Sequence, residues 1–290
     1  MTSEFDAPAK INLCLHVLGR RADGYHDLCM LMQKVSLADR ISIALRDEPG
    51  VEVVCPGVPL AQGEQNIAGR AALAVLAAAG SNRGARIHVD KQIPVAAGLG
   101  GGSSDAATVL VGLNRMLGGP LSFDGLLGAG ARLGADVPFF VYGRSAWAAG
   151  IGDHLRPAGP LPAVWYVLVN PGFAVSTAWV YGNLRLTSPV DVAKLPEFFD
   201  SPQDLAALLH NDLEQVTIGR YPQIAAIKEQ LVALGALGAL MSGSGPTVFG
   251  LFDDEALADA ACATLKRRSQ WRVFKVRPLE DFSPSSRPTC

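Results

Sequence analysis

The sequence has few cysteines, and they lack the arrangement that a disulfide framework or a structural zinc site would need. The five cysteines are an odd number, and none belongs to a CxxC motif or a Cys/His ligand pattern. Reduced thiols in a cytoplasmic protein account for this usage. We expect no signal peptide either, because residues 1–13 contain Glu4 and Asp6 and no continuous apolar core. We therefore expect a cytoplasmic protein.

An excess of charge of either sign is also missing. The 290 residues include 25 Lys and Arg against 27 Asp and Glu, which gives a formal net charge of −2. This balance provides no general attraction to nucleic acid or to anionic membranes, so neither is an expected partner. The charge-free stretch at residues 230–252 is long enough to cross a bilayer. It is interrupted by Ser-Gly-Ser-Gly-Pro at 242–246, which favours two strands joined by a loop. A small-molecule partner and a monomeric or weakly dimeric state are expected.

The composition is that of a globular protein, with 49% hydrophobic and 18% charged residues. Strand and helix patterns mix without strict βαβ alternation, which predicts an α+β fold. Three prolines between 157 and 162 indicate a linker, so we expect one domain at 1–155 and a second at 156–279. The tail at 280–290 contains three serines and two prolines and is predicted to be disordered. A helix is predicted over residues 105–117, and another over 202–214.

The strongest local signal is a glycine-rich run at residues 98–104, Gly-Leu-Gly-Gly-Gly-Ser-Ser. Glycines allow backbone conformations in which successive N–H groups point inward and form an anion site. The helix that follows adds its free N–H groups and the positive end of its dipole. The run lacks the lysine of a Walker loop and the preceding strand of a dinucleotide fingerprint. We interpret it as a phosphate-binding loop of another type; the alternative is an ordinary flexible turn.

Three further segments carry polar residues in apolar surroundings. Lys10 and Asn12 lie two apart in a predicted strand and so share one face, although an early lysine is often only a surface charge. Asp136 sits among apolar residues and needs a cation or hydrogen-bond donors, for which Lys10 is a candidate; it could instead cap a turn. The glycine-rich segment at 242–246 could close over a ligand or form a tight hairpin.

Together these segments resemble the GHMP kinase superfamily, which is named for galacto-, homoserine, mevalonate and phosphomevalonate kinases. The resemblance covers residues 6–277 and rests on four motifs: Pro-Ala-Lys-Ile-Asn-Leu at 8–13, Gly-Arg-Arg-Ala-Asp-Gly-Tyr-His at 19–26, Ala-Gly-Leu-Gly-Gly-Gly-Ser-Ser at 97–104 and Ala-Asp-Val-Pro at 135–138. The Asp-Gly-Tyr-His element is similar to one branch, which phosphorylates the 2-hydroxyl of a cytidine diphosphate-linked sugar alcohol in isoprenoid precursor biosynthesis.

The resemblance implies a fold and a reaction. The fold would combine an N-terminal ribosomal-protein-like α/β nucleotide domain with a C-terminal ferredoxin-like domain. The reaction would transfer a phosphoryl group from ATP, with Mg²⁺ held mainly by the nucleotide phosphates. Two alternatives stay open: a GHMP kinase for another alcohol, of the homoserine or mevalonate type, and a non-catalytic nucleotide- or RNA-binding module.

The resemblance also implies roles for single residues. Lys10 and Asp136 would be catalytic, with Asp136 orienting or deprotonating the attacking hydroxyl. Ser104 is the best-placed metal ligand, and no second acidic ligand is evident. Tyr181 would supply a second aromatic wall to the cytosine pocket, with Trp179 as a competitor. The expected substrate-binding residues are Asn12, Tyr25, His26, Thr177 and Tyr181, and the expected nucleotide-binding residues are Asn66, Lys91, Pro94, Val95, Ala96, Ala97, Gly98, Leu99, Gly100, Gly101, Gly102, Ser103 and Ser104.

Overall fold

The computed structural model describes residues 2–58, 66–185, 195–196 and 198–279, so the predicted tail at 280–290 lies outside the described residues. No helix in these ranges is both long enough and apolar enough to cross a membrane. The elements, in chain order, are β1 Thr2–Arg20, β2 His26–Arg46, β3 Val51–Val54, α1 Ile67–Ala78, β4 Gly84–Asp90, α2 Gly101–Met116, α3 Phe123–Leu133, α4 Val137–Tyr142, β5 Ala146–Gly150, β6 His154–Pro157, β7 Trp165–Asn170, α5 Thr177–Asn183, α6 Pro202–Leu208, β8 His210–Asn211, α7 Glu214–Arg220, α8 Gln223–Ala233, β9 Gly238–Met241, β10 Val248–Phe252, α9 Glu255–Leu265 and β11 Arg272–Val276.

The first sheet is built around the long antiparallel pair of β1 and β2. Its strand order is β3-β4-β2-β1-β8, and β5 and β6 extend it from a further stretch of β2. Three irregularities interrupt the register of β1, one of them between Asn12 and Cys14. Such bulges bend a strand and reset which side chains face each side. Lys10 and Asn12 both lie before that second irregularity and therefore share a face.

The second sheet is antiparallel, with the order β11-β7-β10-β9. Alternate residues of β7 and β10 point to opposite faces, as the strand period requires. One face, with Tyr166 and Phe249, packs on the first sheet, and the Tyr166 hydroxyl donates to Gln33 Oε1 at 2.6 Å. The other face packs on α8 and α9. Helices α1 and α2 pack on the far side of the first sheet, and α3 and α4 pack on α2. The predicted α+β class is confirmed. The domain boundary near residue 155 stays a prediction.

Two predicted helices have other limits in the structure. The helix after the glycine run begins at Gly101 rather than at residue 105, so the last glycines are themselves helical. The helix predicted over 202–214 is wrong beyond Leu208, because Asn211 leaves helical geometry to pair with β1. Its side-chain amide donates to the carbonyl oxygens of Met241 and Gly243, at 2.7 and 2.8 Å. These long-range bonds outweigh the local helical pattern.

The seam between β1 and β8 is closed by a small cluster of ionisable side chains. The rings of His16 and His210 stack with centroids 4.4 Å apart. Asp212 accepts the Val17 N–H at 2.7 Å through Oδ2, and its Oδ1 lies 2.6 Å from His210 Nε2. The hydrogen bond to Asp212 raises the pKa of His210, whereas burial and then the charge of His210 lower the pKa of His16.

We expect His210→Gln to destabilise the protein more at pH 6 than at pH 8.5. A folded-state pKa above the unfolded value stabilises the fold below the unfolded pKa of about 6.5, and this contribution is lost as pH rises through the folded pKa. His210 is half exposed, so screening keeps the difference below about 1 kcal/mol, or roughly 1–3 °C in Tm. Thermal unfolding at both pH values measures it. The matched control is His154→Gln, since His154 is exposed and its nearest carboxylate oxygen lies 3.9 Å away; equal Tm losses for His210→Gln at the two pH values would contradict the prediction.

Candidate active site

One large cavity opens between the start of α2, the β1 strand and helix α5. Its volume is 1230 Å³, more than the roughly 300–1,000 Å³ typical of a pocket for one small ligand. All the predicted site residues line it except Leu99 and Ser104. Residues that the sequence did not single out also contribute, among them Asp105, Leu213 and Ser244.

The glycine run forms the floor of the cavity and leads directly into α2. Gly98 and Gly100 have φ of 77° and 70°, in the left-handed region that favours glycine. Gly100 precedes the first helical residue, and Gly101, Gly102 and Ser103 line the cavity at the start of α2. The free N–H groups and the positive dipole end of this long helix are therefore directed at the cavity, where they suit an anion.

Two predicted loop residues are turned away from the cavity. Leu99 is buried in the core, and its carbonyl oxygen accepts the Lys10 N–H at 3.0 Å. Ser104 is fully buried, and its Oγ has no hydrogen-bond partner among the described residues. Successive helical residues point in directions about 100° apart, and here Ser103 faces the cavity whereas Ser104 turns into the core. Ser103 supplies the hydroxyl of the cavity wall, and the geometry does not support Ser104 as a metal ligand.

The phosphate loop is held in place by the glycine-rich segment at 242–246 and by Thr247, which follows it. Ser242 Oγ donates to the Gly98 carbonyl oxygen at 3.0 Å, and the Thr247 N–H donates to the Ala97 carbonyl oxygen at 3.3 Å. A Cβ at Gly98 would lie 2.0 Å from the Ser242 carbonyl oxygen. The backbones thus meet at a distance that only glycine permits, and the segment at 242–246 is a buttress for the loop.

Lys10 and Asp136 meet at the edge of the phosphate loop. Lys10 Nζ lies 3.6 Å from Asp136 Oδ2 and donates to Asn12 Oδ1 at 2.5 Å. Asp136 directly precedes α4, but its side chain makes no capping bond, so the carboxylate is not used as a cap. Its side chain is 31% exposed and lines the cavity. The Lys10 ammonium and the Asp136 carboxylate, which makes no helix-capping bond, therefore lie beside the phosphate loop.

An aromatic pair lies on the other side of the cavity. The rings of His26 and Tyr181 have centroids 5.0 Å apart and are tilted by 30°. Burial, and then the charge of Arg20, lower the pKa of His26, which favours a neutral imidazole with one donor and one acceptor. Burial, and then the charge of Asp136, raise the pKa of the Tyr181 hydroxyl. Tyr25, which is 59% exposed, forms the outer rim.

Helix α5 settles which of its two large aromatic side chains is near the cavity. Tyr181 lines it, whereas Trp179 packs beneath the Arg220 guanidinium, 4.5 Å from the ring centroid. Thr177 lines the cavity as well, with its Oγ1 2.8 Å from Ser244 Oγ. The uncertainty between Tyr181 and Trp179 arises because both lie on one short helix, where sequence spacing alone does not fix orientation.

A buried charge network that no sequence pattern predicts lies beside the start of α2. Lys91 donates to Asp39 and, at 2.8 Å, to Asp105. Burial lowers the pKa of Lys91, but the two carboxylates outweigh burial, so the net shift is upward. Burial raises the pKa of Asp105 to about 7, although the charge of Lys91 acts to lower it. Asp105 could have been suspected because it directly follows the two serines of the glycine motif.

This combination of fold and site has a match among known families. Two family models match the chain: "GHMP kinases N terminal domain" over residues 66–144 and "GHMP kinases C terminal" over residues 195–269. The chain belongs to the GHMP kinase family. Membership in this family of kinases implies the use of ATP with a divalent metal.

Individual relatives narrow the comparison. The chain is 60% identical to a protein of Syntrophotalea carbinolica named 4-diphosphocytidyl-2-C-methyl-D-erythritol kinase, over 96% of this chain and 99% of that protein. A Geobacter metallireducens protein of the same name is 55% identical over 94% and 97%. A crystal structure of 4-(cytidine 5'-diphospho)-2C-methyl-D-erythritol kinase superposes with a TM-score of 0.78 at 36% identity, covering 95% of this chain and 98% of that one. A homoserine kinase from Cytophaga hutchinsonii reaches a TM-score of 0.77 at 20% identity, covering 98% and 97%, and shows a shared fold alone.

Proposed function

We propose that this chain transfers the γ-phosphoryl group of ATP to the 2-hydroxyl of 4-diphosphocytidyl-2-C-methyl-D-erythritol, a step of non-mevalonate isoprenoid precursor biosynthesis. The observation that carries the proposal is the arrangement of three features along one cavity. The phosphate loop lies at one end, Lys10 and Asp136 stand beside it, and the His26–Tyr181 pair lies on the other side. The names of the relatives agree with this acceptor.

The nucleotide end is suited to binding a polyphosphate. The amides at the start of α2 and the hydroxyl of Ser103 would receive the phosphate oxygens, and Asn66, Lys91 and residues 94–98 would surround the rest of the nucleotide. Asn66 caps α1 through its Oδ1, which leaves its side-chain amide group to donate to a ligand. The sequence predicts the same roles for these residues, and for Leu99 and Ser104, which do not line the cavity.

Asp136 would orient the attacking hydroxyl and accept its proton as the oxygen bonds to the γ-phosphorus and the bond to ADP breaks. Lys10 would offset the charge on the transferring group, and Asn12 fixes the ammonium through their hydrogen bond. Phosphoryl transfer depends mainly on such positioning and charge neutralisation. Asp136 would occupy the same position beside the attacking hydroxyl whether the proton is transferred fully or in part at the transition state.

The protein offers few ligands for a metal ion. Among the described carboxylates that line the cavity, Asp105 is engaged by Lys91, which leaves Asp136, and Ser103 supplies a hydroxyl. This donor set fits Mg²⁺ held chiefly by phosphate oxygens and water, as Mg²⁺ retains several waters in nucleotide sites. The bound metal would neutralise charge on the phosphates.

The cytidine end would use His26 and Tyr181. The base would stack on an aromatic ring, while the neutral imidazole of His26 and the backbone of Tyr25 could pair with its polar edge. Thr177 and Ser244 add hydroxyls on the same side. A cytoplasmic location and a monomeric or weakly dimeric state stay predictions from the sequence, and sedimentation would measure the latter.

A coupled assay of ADP release tests the proposal with three acceptors. We expect kcat/KM for the cytidyl alcohol to exceed that for homoserine or mevalonate by roughly 10⁴-fold, because a site built to hydrogen-bond a ligand rejects analogues that lack the groups. Calorimetry should show CDP binding that weakens about 10-fold or more in Tyr181→Ala, the loss of one base–aromatic stack. Trp179→Ala is the matched aromatic control. Faster phosphorylation of homoserine or mevalonate, or no binding of CDP, would favour the other GHMP alcohol kinases.

A further inference from the structure

The start of the phosphate loop is fastened to a carboxylate that belongs to another strand. Asp39 lies on β2 and is fully buried. Its Oδ1 accepts the N–H groups of Gln92 and Ile93, at 2.6 and 2.8 Å. These two residues follow the end of β4 and lead into the loop. One side-chain oxygen therefore fixes the direction in which the chain leaves the sheet.

The end of the same loop is tied to the same carboxylate. Lys91 Nζ donates both to the other oxygen of Asp39 and to Asp105 Oδ2, the latter on the second turn of α2. The Lys91 and Asp105 side chains are only 12% and 8% exposed. Asp39, Lys91 and Asp105 thus form a continuous clamp that joins the two stems of the loop.

Helix α2 begins directly against this clamp. A Cβ placed on Gly101 would lie 3.2 Å from Lys91 Nζ and 3.1 Å from Ile93 Cγ2. The first helical residue therefore has little room for a side chain, because the ammonium and the chain that Asp39 holds lie close beside it. The Lys91 ammonium is already held by the side chains of Asp39 and Asp105, so this lysine orders the loop rather than serving as a free cation for phosphates.

We propose that Asp39 is a positioning residue for the nucleotide phosphates. It fixes the loop at 94–100 in its ligand-binding conformation before the ligand arrives, which removes an ordering penalty from nucleotide binding. The alcohol pocket is built from helix α5 and from the start of β2 at His26, thirteen residues before Asp39, so its affinity should not depend on the clamp. The inference rests on the proposed function in that the ligand of the loop is ATP.

The test uses Asp39→Asn in the full chain. Asparagine keeps an oxygen for the two N–H groups but presents no negative charge to Lys91. The substitution therefore removes the ion pair between residue 39 and Lys91 and leaves the Lys91–Asp105 pair in place. We expect KM for ATP, and Kd for a non-hydrolysable ATP analogue by calorimetry, to rise roughly 10- to 100-fold, the range that a small misplacement of a binding group produces. The change in kcat should stay within about 3-fold, and Kd for CDP should be unchanged within the same factor. Asp90→Asn is the matched control, because Asp90 is exposed at the end of β4 and contacts only the Gln92 side chain, at 3.4 Å, among its described hydrogen bonds.

Asp105→Asn provides a second variant that leaves both Asp39 amide bonds intact. Asp105→Asn should also raise Kd for the ATP analogue, by a smaller factor than Asp39→Asn. If Asp39→Asn does not fold, Asp105→Asn provides the test. Unchanged affinity for the analogue would overturn the proposal, and so would a parallel loss of CDP affinity, since that pattern indicates general damage to the fold. The analogue titration needs no acceptor, so an error in the proposed alcohol substrate would appear in the ADP assay and leave this result intact.

Discussion

Asp136→Asn is expected to lower kcat by about 10²- to 10⁴-fold, the range that removal of a general acid or base produces. Asp136 is the cavity-lining carboxylate that is not engaged by Lys91, and its charge faces Lys10 Nζ at 3.6 Å. Asparagine preserves the size and the position before α4 but accepts no proton. Because the phosphate loop is untouched, KM for ATP should change by less than about 3-fold.

Steady-state kinetics with the cytidyl alcohol, together with calorimetry of CDP and an ATP analogue, measure this result. The matched control is Asp124→Asn, an exposed aspartate in the first turn of α3, which should retain activity. A kcat for Asp136→Asn close to that of the unmodified enzyme would show that the carboxylate has no part in the chemical step. Loss of analogue binding instead would assign Asp136 to the nucleotide side.

Gly98→Ala is expected to abolish most activity for a steric reason. The added Cβ would lie 2.0 Å from the Ser242 carbonyl oxygen, where no relief by side-chain rotation is available, and φ at this position is 77°. The loop must therefore move away from the buttress at 242–246. A shift of about 1 Å in a phosphate-binding loop can lower kcat/KM about 10²-fold, and the overpacked contact should cost roughly 1–3 kcal/mol of stability.

Gly118→Ala separates the two causes of damage at Gly98. Gly118 has a φ of 82°, but a Cβ there would meet nothing within 4 Å. This control therefore carries the backbone strain without the collision, and it should lose about 1 kcal/mol of stability while keeping its activity. Denaturant unfolding and the ADP assay on both variants measure the difference. If both variants kept nearly the full activity of the unsubstituted protein, the contact with Ser242 would not be needed to shape the loop.

The parts of the site that the sequence predicts well are those set by local chemistry. Four glycines before an apolar helix indicate a phosphate loop because their effect on the backbone is local, and the period of two in a strand places Lys10 and Asn12 on one face. Asp136 stands out because a carboxylate among apolar residues needs a partner. None of these inferences requires knowledge of how distant segments meet.

The parts that were missed depend on distant contacts. Asp39 precedes its partners Gln92 and Ile93 by more than fifty residues, so no spacing rule connects them. The helix predicted over 202–214 fails for the same reason, since Asn211 is held by carbonyl groups of the segment near residue 242. Leu99 and Ser104 are buried because their side chains point into the core and away from the cavity. The direction of each side chain is set by how α2 packs, which the composition of the loop does not reveal.

The undivided cavity has a consequence for inhibitor design. Because residues of the phosphate loop and the His26–Tyr181 pair line a single space of 1230 Å³, one molecule could carry a cytidine at one end and a nucleoside polyphosphate at the other. Two separate ligands each lose translational freedom on binding, whereas a bisubstrate compound loses it only once. With a short linker, its second half would bind at an effective concentration in the millimolar range. Selectivity would come from the cytidine half, since phosphate loops recur among kinases, whereas the aromatic pair is built from His26 on β2 and Tyr181 on α5.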